Sequence, residues 1–344
     1  MGTVTTIGID LAKQSFQVHG VDELGKVVLR KSLRRDKVSA FFSNLPPCLV
    51  GMEACAGSAH WERVIAGHGH EVRRMHARFV TPYRMADKSD SSDAAAICEA
   101  VQRPRMRFVP GKSREQADIQ SVHRVRSGLV RARTAAINQI RGLLGECGIV
   151  VRQGAGNLRS SLPSLIADLG NGLGGTMRRM LVLLYEHIAS LDAQIASLKT
   201  ALQEVAREHE ACQRLQKVPG VGVLGATILL AVAGAAKEFK NGRQFAAYLG
   251  LVPRQHSTGG KHRLLGITKR GDSYVRTLLI HGARAVLNSM RRGCTPLGTG
   301  AVGAWFMQLV ERRGPNKACV ALANKMARIA WSMLARGGEY RMTS

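Results

Sequence analysis

The sequence predicts an α/β domain followed by a longer, mainly helical region, and three patterns carry that prediction. Three strand-like segments joined by turn signals lead into strand–helix–strand alternation near the N-terminus. From Arg114 onward apolar residues recur at helical spacing, and between Met177 and Glu208 they tighten to alternating steps of four and three. Charge is also uneven: of 50 lysines and arginines against 24 acids, 34 basic and 13 acidic residues lie from Gly111 onward. A chain of 344 residues suffices for two or three domains with their own cores, expected at 1–110, 111–210 and 211–344.

The first strands are expected over Thr3 to Ile9, Phe16 to Val21 and Val27 to Ser32, with Asp22-Glu23-Leu24-Gly25 as the turn between the last two. A helix near Asp36 to Asn44, a strand Leu49 to Met52 ending in Glu53, a helix Ala59 to Gly67 and a strand Glu71 to Met75 complete the alternation. The run Lys88-Ser89-Asp90-Ser91-Ser92-Asp93 then opens a helix to about Val101.

The helical region starts with Arg114 to Cys147, where Ile119, Val122, Leu129, Ala132, Ala136, Ile140 and Leu143 form a broad apolar face. Gly148 to Gly175 reads as a connector holding a short helix. In Met177 to Glu208 the residues Leu184, Ile188, Leu191, Ile195, Leu198, Leu202 and Val205 make a heptad seam, whose partner is either the Arg114 helix folded back or a second subunit. Leu215 to Gly225 holds the turn Pro219-Gly220-Val221-Gly222 ahead of an apolar helix ending at Ala233. Further helices are expected at Phe239 to Tyr248, Tyr274 to Met290, Trp305 to Arg313 and Ala318 to Leu334.

A formal charge of +26 is most simply neutralised by a polyanion, with nucleic-acid binding that weakens steeply as salt rises. The seven scattered cysteines include no C-x-x-C pair, which points to reduced thiols, a cytoplasmic home and no zinc site. No signal-peptide pattern opens the chain, and the longest apolar run, Val223 to Ala236, is too short to span a bilayer; secretion and membrane insertion are not supported.

Two clusters carry chemistry. Asp10 and Glu53 close strands, and they share a sheet end if those strands are parallel neighbours. Asp90 and Asp93, three apart, share a helix face. Together the four acids would form the all-oxygen site that Mg²⁺ prefers, although Asp90 also fits as a helix cap and Asp10 as a strand-end residue. Sugar kinases and actin-like ATPases open on a similar strand ending in Gly-x-Asp, but Leu11-Ala12-Lys13-Gln14 supplies none of the small hydroxyl residues of their phosphate loop.

The second cluster spans Pro253 to Arg276. It joins the hydroxyls of Ser257 and Thr258 to Gly259 and Gly260 and to the cations Arg254, Lys261, Arg263, Lys269, Arg270 and Arg276. A glycine-flanked hydroxyl in a field of cations suits attack on a phosphate, since amides and cations stabilise charge developing on its oxygens. Arg124, Arg131 and Asn138 recur at sevens on one helix face, and Arg124 and Arg131 are candidates for gripping a phosphate backbone, as is Lys325. The Pro219–Gly222 turn resembles a helix-hairpin-helix element, in which Gly220 and Gly222 would offer amides to a phosphate.

In this order, the four acids, the glycine hairpin, Pro253-Arg254…Ser257-Thr258-Gly259-Gly260-Lys261 and Lys269-Arg270-Gly271-Asp272 resemble the DEDD insertion-sequence transposases, the IS110 family and its IS1111 branch. The likeness runs from Gly8-Ile9-Asp10 to Ala323-Asn324-Lys325-Met326-Ala327-Arg328. It implies a RuvC-like, ribonuclease H fold at the N-terminus, a coiled-coil middle and a C-terminal transposase domain that supplies a serine nucleophile. It also implies an element-encoded noncoding guide RNA (bridge or seeker RNA) that pairs with donor and target DNA, and a homodimer that assembles to a tetramer, with the heptad helix as the dimer contact.

By position Asp10, Glu53, Asp90 and Asp93 match the family's Mg²⁺-binding acids and Ser257 its nucleophile. The chain departs by carrying Ser89 where many relatives have threonine. Thr258 stands where the family serine often precedes glycine, so Thr258 is the alternative nucleophile; the primary hydroxyl of Ser257 is the less hindered. The implied activity is RNA-guided recombination through a phosphoserine intermediate in the bacterial cytoplasm, at the nucleoid when acting. A Holliday-junction-type endonuclease would need the acids and not the serine; a noncatalytic RNA-binding scaffold would need neither.

Overall fold

The computed structural model describes residues 3–84, 90–261, 263–294, 297 and 300–341, together with the backbone but not the side chain of Asp90. The chain divides into two units, Met1–Ser113 and Arg114–Ser344.

In the first unit, β1 (Thr6–Asp10), β2 (Ser15–Val21), β3 (Val27–Arg34), β4 (Leu49–Glu53), β5 (Glu71–Met75) and β6 (Phe108–Val109) form one sheet in the order β3-β2-β1-β4-β5-β6. β2 and β3 are antiparallel, as their short turns require, while β1, β4 and β5 run parallel through crossovers that contain α1 (Val38–Ser43) and α2 (Ser58–Ala66). β6 closes the far edge antiparallel to β5. The edge strand β3 is mostly exposed and carries Arg30, Lys31 and Arg34, the charge that keeps an open edge from pairing with another chain. A short helix α3 (Ala77–Val80) runs into a 3₁₀ turn, Thr81–Tyr83, and α4 (Asp90–Val101) follows.

Alternation along β1 and β4 sorts the two faces. Ile7, Ile9, Val50 and Met52 are fully buried in a core with Phe16, Phe42, Trp61 and Ile65, beneath α1 and α2. Gly8 and Gly51 have the opposite parity and face α4. A Cβ on Gly8 would stand 2.1 Å from the Ala94 carbonyl oxygen, and one on Gly51 would stand 2.7 Å from the Val101 Cβ, so the glycines let α4 lie directly on the sheet. Met75, Val80, Ile97, Ala100 and Val101 form the core on that side.

In the second unit α5 (Arg114–Glu146) and α7 (Gly175–Glu208) pack along each other. Ala136, Ile137, Ile140 and Leu144 meet Leu181 and Ile188, with α6 (Ala155–Ala167) capping this end through Leu158 and Leu162. The heptad seam is therefore filled by α5 of the same chain. Of the two partners that the spacing leaves open, the structure gives the Arg114 helix folded back and not a second subunit, because the apolar residues of the seam already face α5.

Beyond this pair, α8 (Glu210–Gln216), α9 (Val223–Ala233), α10 (Gly242–Tyr248), α11 (Ser273–Arg291), α12 (Ala301–Arg313) and α13 (Pro315–Arg336) surround one large core. α9 is apolar on all sides and lies inside it, with Ala226, Ile228, Leu229 and Ala231 almost wholly buried. α10 starts later than its apolar pattern predicts, because Asn241 caps it by accepting from the Gln244 amide at 3.0 Å. After Leu251 the cluster of hydroxyls, glycines and cations lies on a two-stranded hairpin, β7 (Pro253–Gln255) with β8 (Leu264–Ile267).

Candidate functional site

The parallel register of β1 and β4 runs from Thr6 opposite Leu49 to Ile9 opposite Met52, so Asp10 and Glu53 follow side by side at the same sheet end. Each lies two residues beyond a glycine, Gly8-x-Asp10 and Gly51-x-Glu53, and so shares the glycine's parity and faces α4. The close approach that these glycines permit sets α4 against them: Asp93 directly precedes Ala94, the residue opposite Gly8, and is buried. Asp10 and Glu53 are half-buried. Asp90 opens α4, its side chain lying outside the described residues, as does all of Ser89.

Two residues that the sequence patterns did not single out stand among these acids. Arg84 places Nε 2.5 Å from Asp93 Oδ1 and Nη2 3.9 Å from Glu53 Oε1. Cys55, just past β4, has its thiol held above its ordinary pKa, first by desolvation and then by the negative charge of Glu53 and Asp10. The thiol thus reports one region of negative potential that includes both strand-end acids.

Hard carboxylate oxygens in such a region suit a divalent cation such as Mg²⁺. Among the described residues, however, no three carboxylate, imidazole or thiol groups lie close enough to hold a metal ion as they stand, and Arg84 is the cation already paired there. The donors fit the ion in chemistry and charge, and the Arg84 guanidinium is ion-paired with two of them, Asp93 and Glu53.

In the second unit the hydroxyl cluster sits at the end of the β7–β8 hairpin. The Lys261 amide donates to the Thr258 carbonyl at 3.0 Å around Gly259 (φ 54°) and Gly260 (φ 77°). Positive φ at both central positions is the tight hairpin turn whose twist matches the strands, and it explains the glycine pair. Ser257 is exposed just before this turn, and its Oγ accepts from Gln255 Nε2 at 2.9 Å. Thr258 is exposed as well, as are Arg254, Lys261 and Arg263 along the hairpin and Lys269 and Arg270 at its base.

The hairpin base is built differently. The amides of Thr268 and Lys269 donate to the carbonyls of Val252 and Gly250, and Asn324 Nδ2 donates to the Leu251 carbonyl at 3.1 Å. Gly250 (φ 72°) packs so closely that a Cβ would stand 2.1 Å from the Arg270 carbonyl oxygen, and Lys269 is itself left-handed at φ 54°. Asp272 then caps α11, accepting from the amides of Tyr274 and Val275. Arg276, expected among the nucleic-acid contacts, is buried: its Nη1 donates to the carbonyls of Leu249 and Arg270, so its charge braces the base and is not offered at the surface.

The two glycines of the Pro219–Gly222 turn differ in surroundings, Gly220 being half-buried. Its positive φ and the 2.9 Å separation between an added Cβ and the Gly282 backbone make it a packing glycine against α11, whereas Gly222, the residue before α9, is exposed. Arg124 and Arg131 are exposed on α5 and line a cavity of about 210 Å³ with Gln120, Asp272 and Tyr274. Under them lies His123, which periodicity did not select. It is buried, meets Tyr274 Oη and Thr227 Oγ1 at 3.0 Å each, and has its pKa lowered to about 4 by burial and then by Arg126. Lys325 is half-buried with Nζ 5.2 Å from the Trp305 ring centroid.

Comparison with known proteins adds the following. Residues 212–295 match the family described as transposase IS116/IS110/IS902, and residues 7–149 match a transposase family of the DEDD, IS110 type. The chain is 50% identical to the "Probable family 20 transposase" of Pseudomonas aeruginosa over 98% of its own length and 99% of the relative's. It is 43% identical to the transposase for insertion sequence element IS1111A of Coxiella burnetii, over 99% and 92% of the two chains.

Proposed function

Because this chain belongs to the IS116/IS110/IS902 family of insertion-sequence transposases, we propose that it is an RNA-guided DNA recombinase that excises and inserts its own element through a serine–DNA intermediate. The observation that carries this reading is the exposed Ser257 hydroxyl beside the tight turn of a hairpin that also carries the exposed Arg254, Lys261 and Arg263, in a chain whose other unit gathers Asp10, Glu53 and Asp93 at one sheet end. The sheet order, with β1 central beside an antiparallel hairpin on one side and parallel strands on the other, supports a RuvC-like assignment of the first unit.

Ser257 Oγ attacks a DNA phosphorus. The Oγ–P bond forms as the bond to one sugar oxygen breaks; Oγ loses its proton and the leaving oxygen gains one. Since one phosphodiester replaces another, the bond's free energy is kept for rejoining to a second strand. Gln255 orients the hydroxyl, and Arg254, Lys261 and Arg263 neutralise charge on the non-bridging oxygens. Thr258 is the alternative nucleophile. Asp10, Glu53, Asp90 and Asp93 would hold Mg²⁺, which supplies neutralisation of the phosphate and activation of its leaving oxygen.

The excess of cations after Gly111 holds the backbones of donor DNA, target DNA and an element-encoded guide RNA, with sequence chosen by base pairing. The proposed nucleic-acid contacts are Arg124, Arg131, Gly222, Arg254, Gly259, Gly260, Lys261, Arg263, Lys269, Arg270 and Lys325. The working form is a homodimer that assembles to a tetramer, acting at the bacterial nucleoid. Among the described residues no helix is long and apolar enough to cross a membrane.

The test is expression from the native locus with flanking noncoding DNA, followed by sequencing of co-purifying RNA and trapping of protein–DNA adducts. A discrete RNA mapping beside the gene is expected. In Ser257→Ala the adduct should vanish and strand joining fall by at least about a thousandfold. Random RNA would sink guidance, and full cleavage by Ser257→Ala would favour a junction endonuclease.

A further inference from the structure

We propose that Arg84 is the built-in counter-cation of the carboxylate site, and that a divalent ion binds there only as a nucleic-acid phosphate draws the Arg84 guanidinium away. The inference rests on the reading of these acids as a cation site and adds the residue that controls access to it.

Four observations carry it. Arg84 contacts two of the acids at once, through Nε to Asp93 and Nη2 to Glu53, and these side chains are only 25, 11 and 19% exposed, in the order Arg84, Asp93, Glu53. Carboxylates gathered with so little water need a positive charge nearby, and the Arg84 guanidinium supplies it as an ion pair. The backbone that delivers it is anchored: Tyr83 packs on the core of Met75, Val80 and Ile97, and the Arg84 amide donates to the Thr81 carbonyl at 3.2 Å. Removal of the charge from the acids therefore requires only rotation of the side chain.

The fourth observation is chemical exclusion. Asp93 Oδ1 lies 2.5 Å from Arg84 Nε in an ion pair without hydrogen-bond geometry, whereas a bound Mg²⁺ would claim the same oxygen while repelling the neighbouring charge. The two cations compete for one site. A phosphodiester is the natural alternative partner for a planar guanidinium. Transfer of Arg84 from Asp93 to a substrate phosphate releases Asp93 and Glu53 from the guanidinium and adds a positive contact to the substrate in the same movement. By linkage, divalent-ion binding and nucleic-acid binding then strengthen each other. The transposase thereby avoids holding a loaded metal site when no nucleic acid is bound.

The test measures Mn²⁺ affinity by calorimetry on the full chain, without nucleic acid, for the parent, Arg84→Gln and Arg84→Lys. Arg84→Gln, which removes the charge and keeps a planar hydrogen-bonding group, should bind Mn²⁺ at least about tenfold more tightly than the parent. Arg84→Lys keeps the charge without the fork and should fall between them. Thermal unfolding gives a second readout: Arg84→Gln should melt lower than the parent without divalent ion and recover when Mn²⁺ is added. Equal or weaker affinity in Arg84→Gln, with Mn²⁺ binding abolished by Asp93→Asn, would overturn the role of Arg84 and leave the metal reading intact. Absence of Mn²⁺ binding in all the chains would overturn both.

Discussion

Asp10, Glu53 and Asp93 are held by the centre of a sheet and a helix pressed onto it, whereas Ser257 stands near the end of a short hairpin whose strands are almost wholly exposed. The acids inherit their positions from register, from strand parity and from two glycines in close contact with α4. The hydroxyl inherits only the position of the hairpin base, where Arg276, Asn324 and Asp272 tie the strands to α11 and α13. A cation site needs ligands fixed to within a fraction of an ångström, whereas a nucleophile that is esterified to DNA and then released has to follow a strand as it moves. On the proposed roles, rigidity lies with the acids that would hold a cation and exposure with the hydroxyl that would carry the DNA.

The strongest way to break that contrast is to push α4 off the sheet. Gly8→Ala would place a methyl 2.1 Å from the Ala94 carbonyl oxygen and 2.4 Å from the Cys98 amide nitrogen, both backbone atoms that yield only if the whole helix moves. A loss of about 3 kcal/mol from the first unit is expected, at the upper end for overpacking, and Asp93 should move away from Glu53. Gly51→Ala meets the Val101 side chain at 2.7 Å and should cost roughly half as much. Urea unfolding of the two variants checks the order; a Gly8→Ala chain as stable as the parent would show that α4 is not seated by that glycine.

The same contrast governs what was legible in the sequence. Hydrophobic period alone places β1 to β5, α2 and the long helices within a few residues, and strand endings identify Asp10 and Glu53. Gly8-x-Asp10 and Gly51-x-Glu53 also contain the information that each acid faces the same side as its glycine, since a spacing of two preserves the face of a strand. Arg84 had no signal, because its role comes from the turn at Thr81–Tyr83 and not from any motif around it. His123 occupies a core-facing position of α5 that an apolar count passes over. Arg276 was misassigned because it shares a basic run with exposed cations, and only the carbonyls of Leu249 and Arg270 separate its task from theirs. The β7–β8 strands were missed because they are too short and exposed to alternate.

His123 sharpens the comparison by setting the acid tolerance of the second unit. Its imidazole is buried neutral, with a pKa lowered from 6.5 to about 4, first by desolvation and then by Arg126. The unfolded chain takes up a proton near pH 6.5 while the folded chain resists until about pH 4, so stability falls as pH drops through that window. The largest contribution is roughly 3 kcal/mol, present above pH 6.5 and lost progressively below it. His123→Gln removes this titration, so its stability should depend less on pH than the parent's over the same range. Amide exchange in α9 and α11, which carry Thr227 and Tyr274, should accelerate first in the parent. Equal acid sensitivity in parent and variant would remove His123 as the cause.

The smallest effect belongs to the turn itself. Gly260 has a φ of 77° and no atom within 4 Å of an added Cβ, so Gly260→Ala meets conformational strain alone, about 1 kcal/mol for a left-handed residue. Gly250→Ala at the base adds a clash with the Arg270 backbone at 2.1 Å and should cost several times more. Because the tip shares little packing with the core, Gly260→Ala should leave the melting temperature of the second unit nearly unchanged while shifting Ser257 relative to its cations. A severalfold loss of strand joining without loss of stability is expected, and Gly260→Asn, which tolerates positive φ, should recover most of it. A large fall in melting temperature for Gly260→Ala would mean that the tip is packed as firmly as the acids, and the contrast between the two sites would fail.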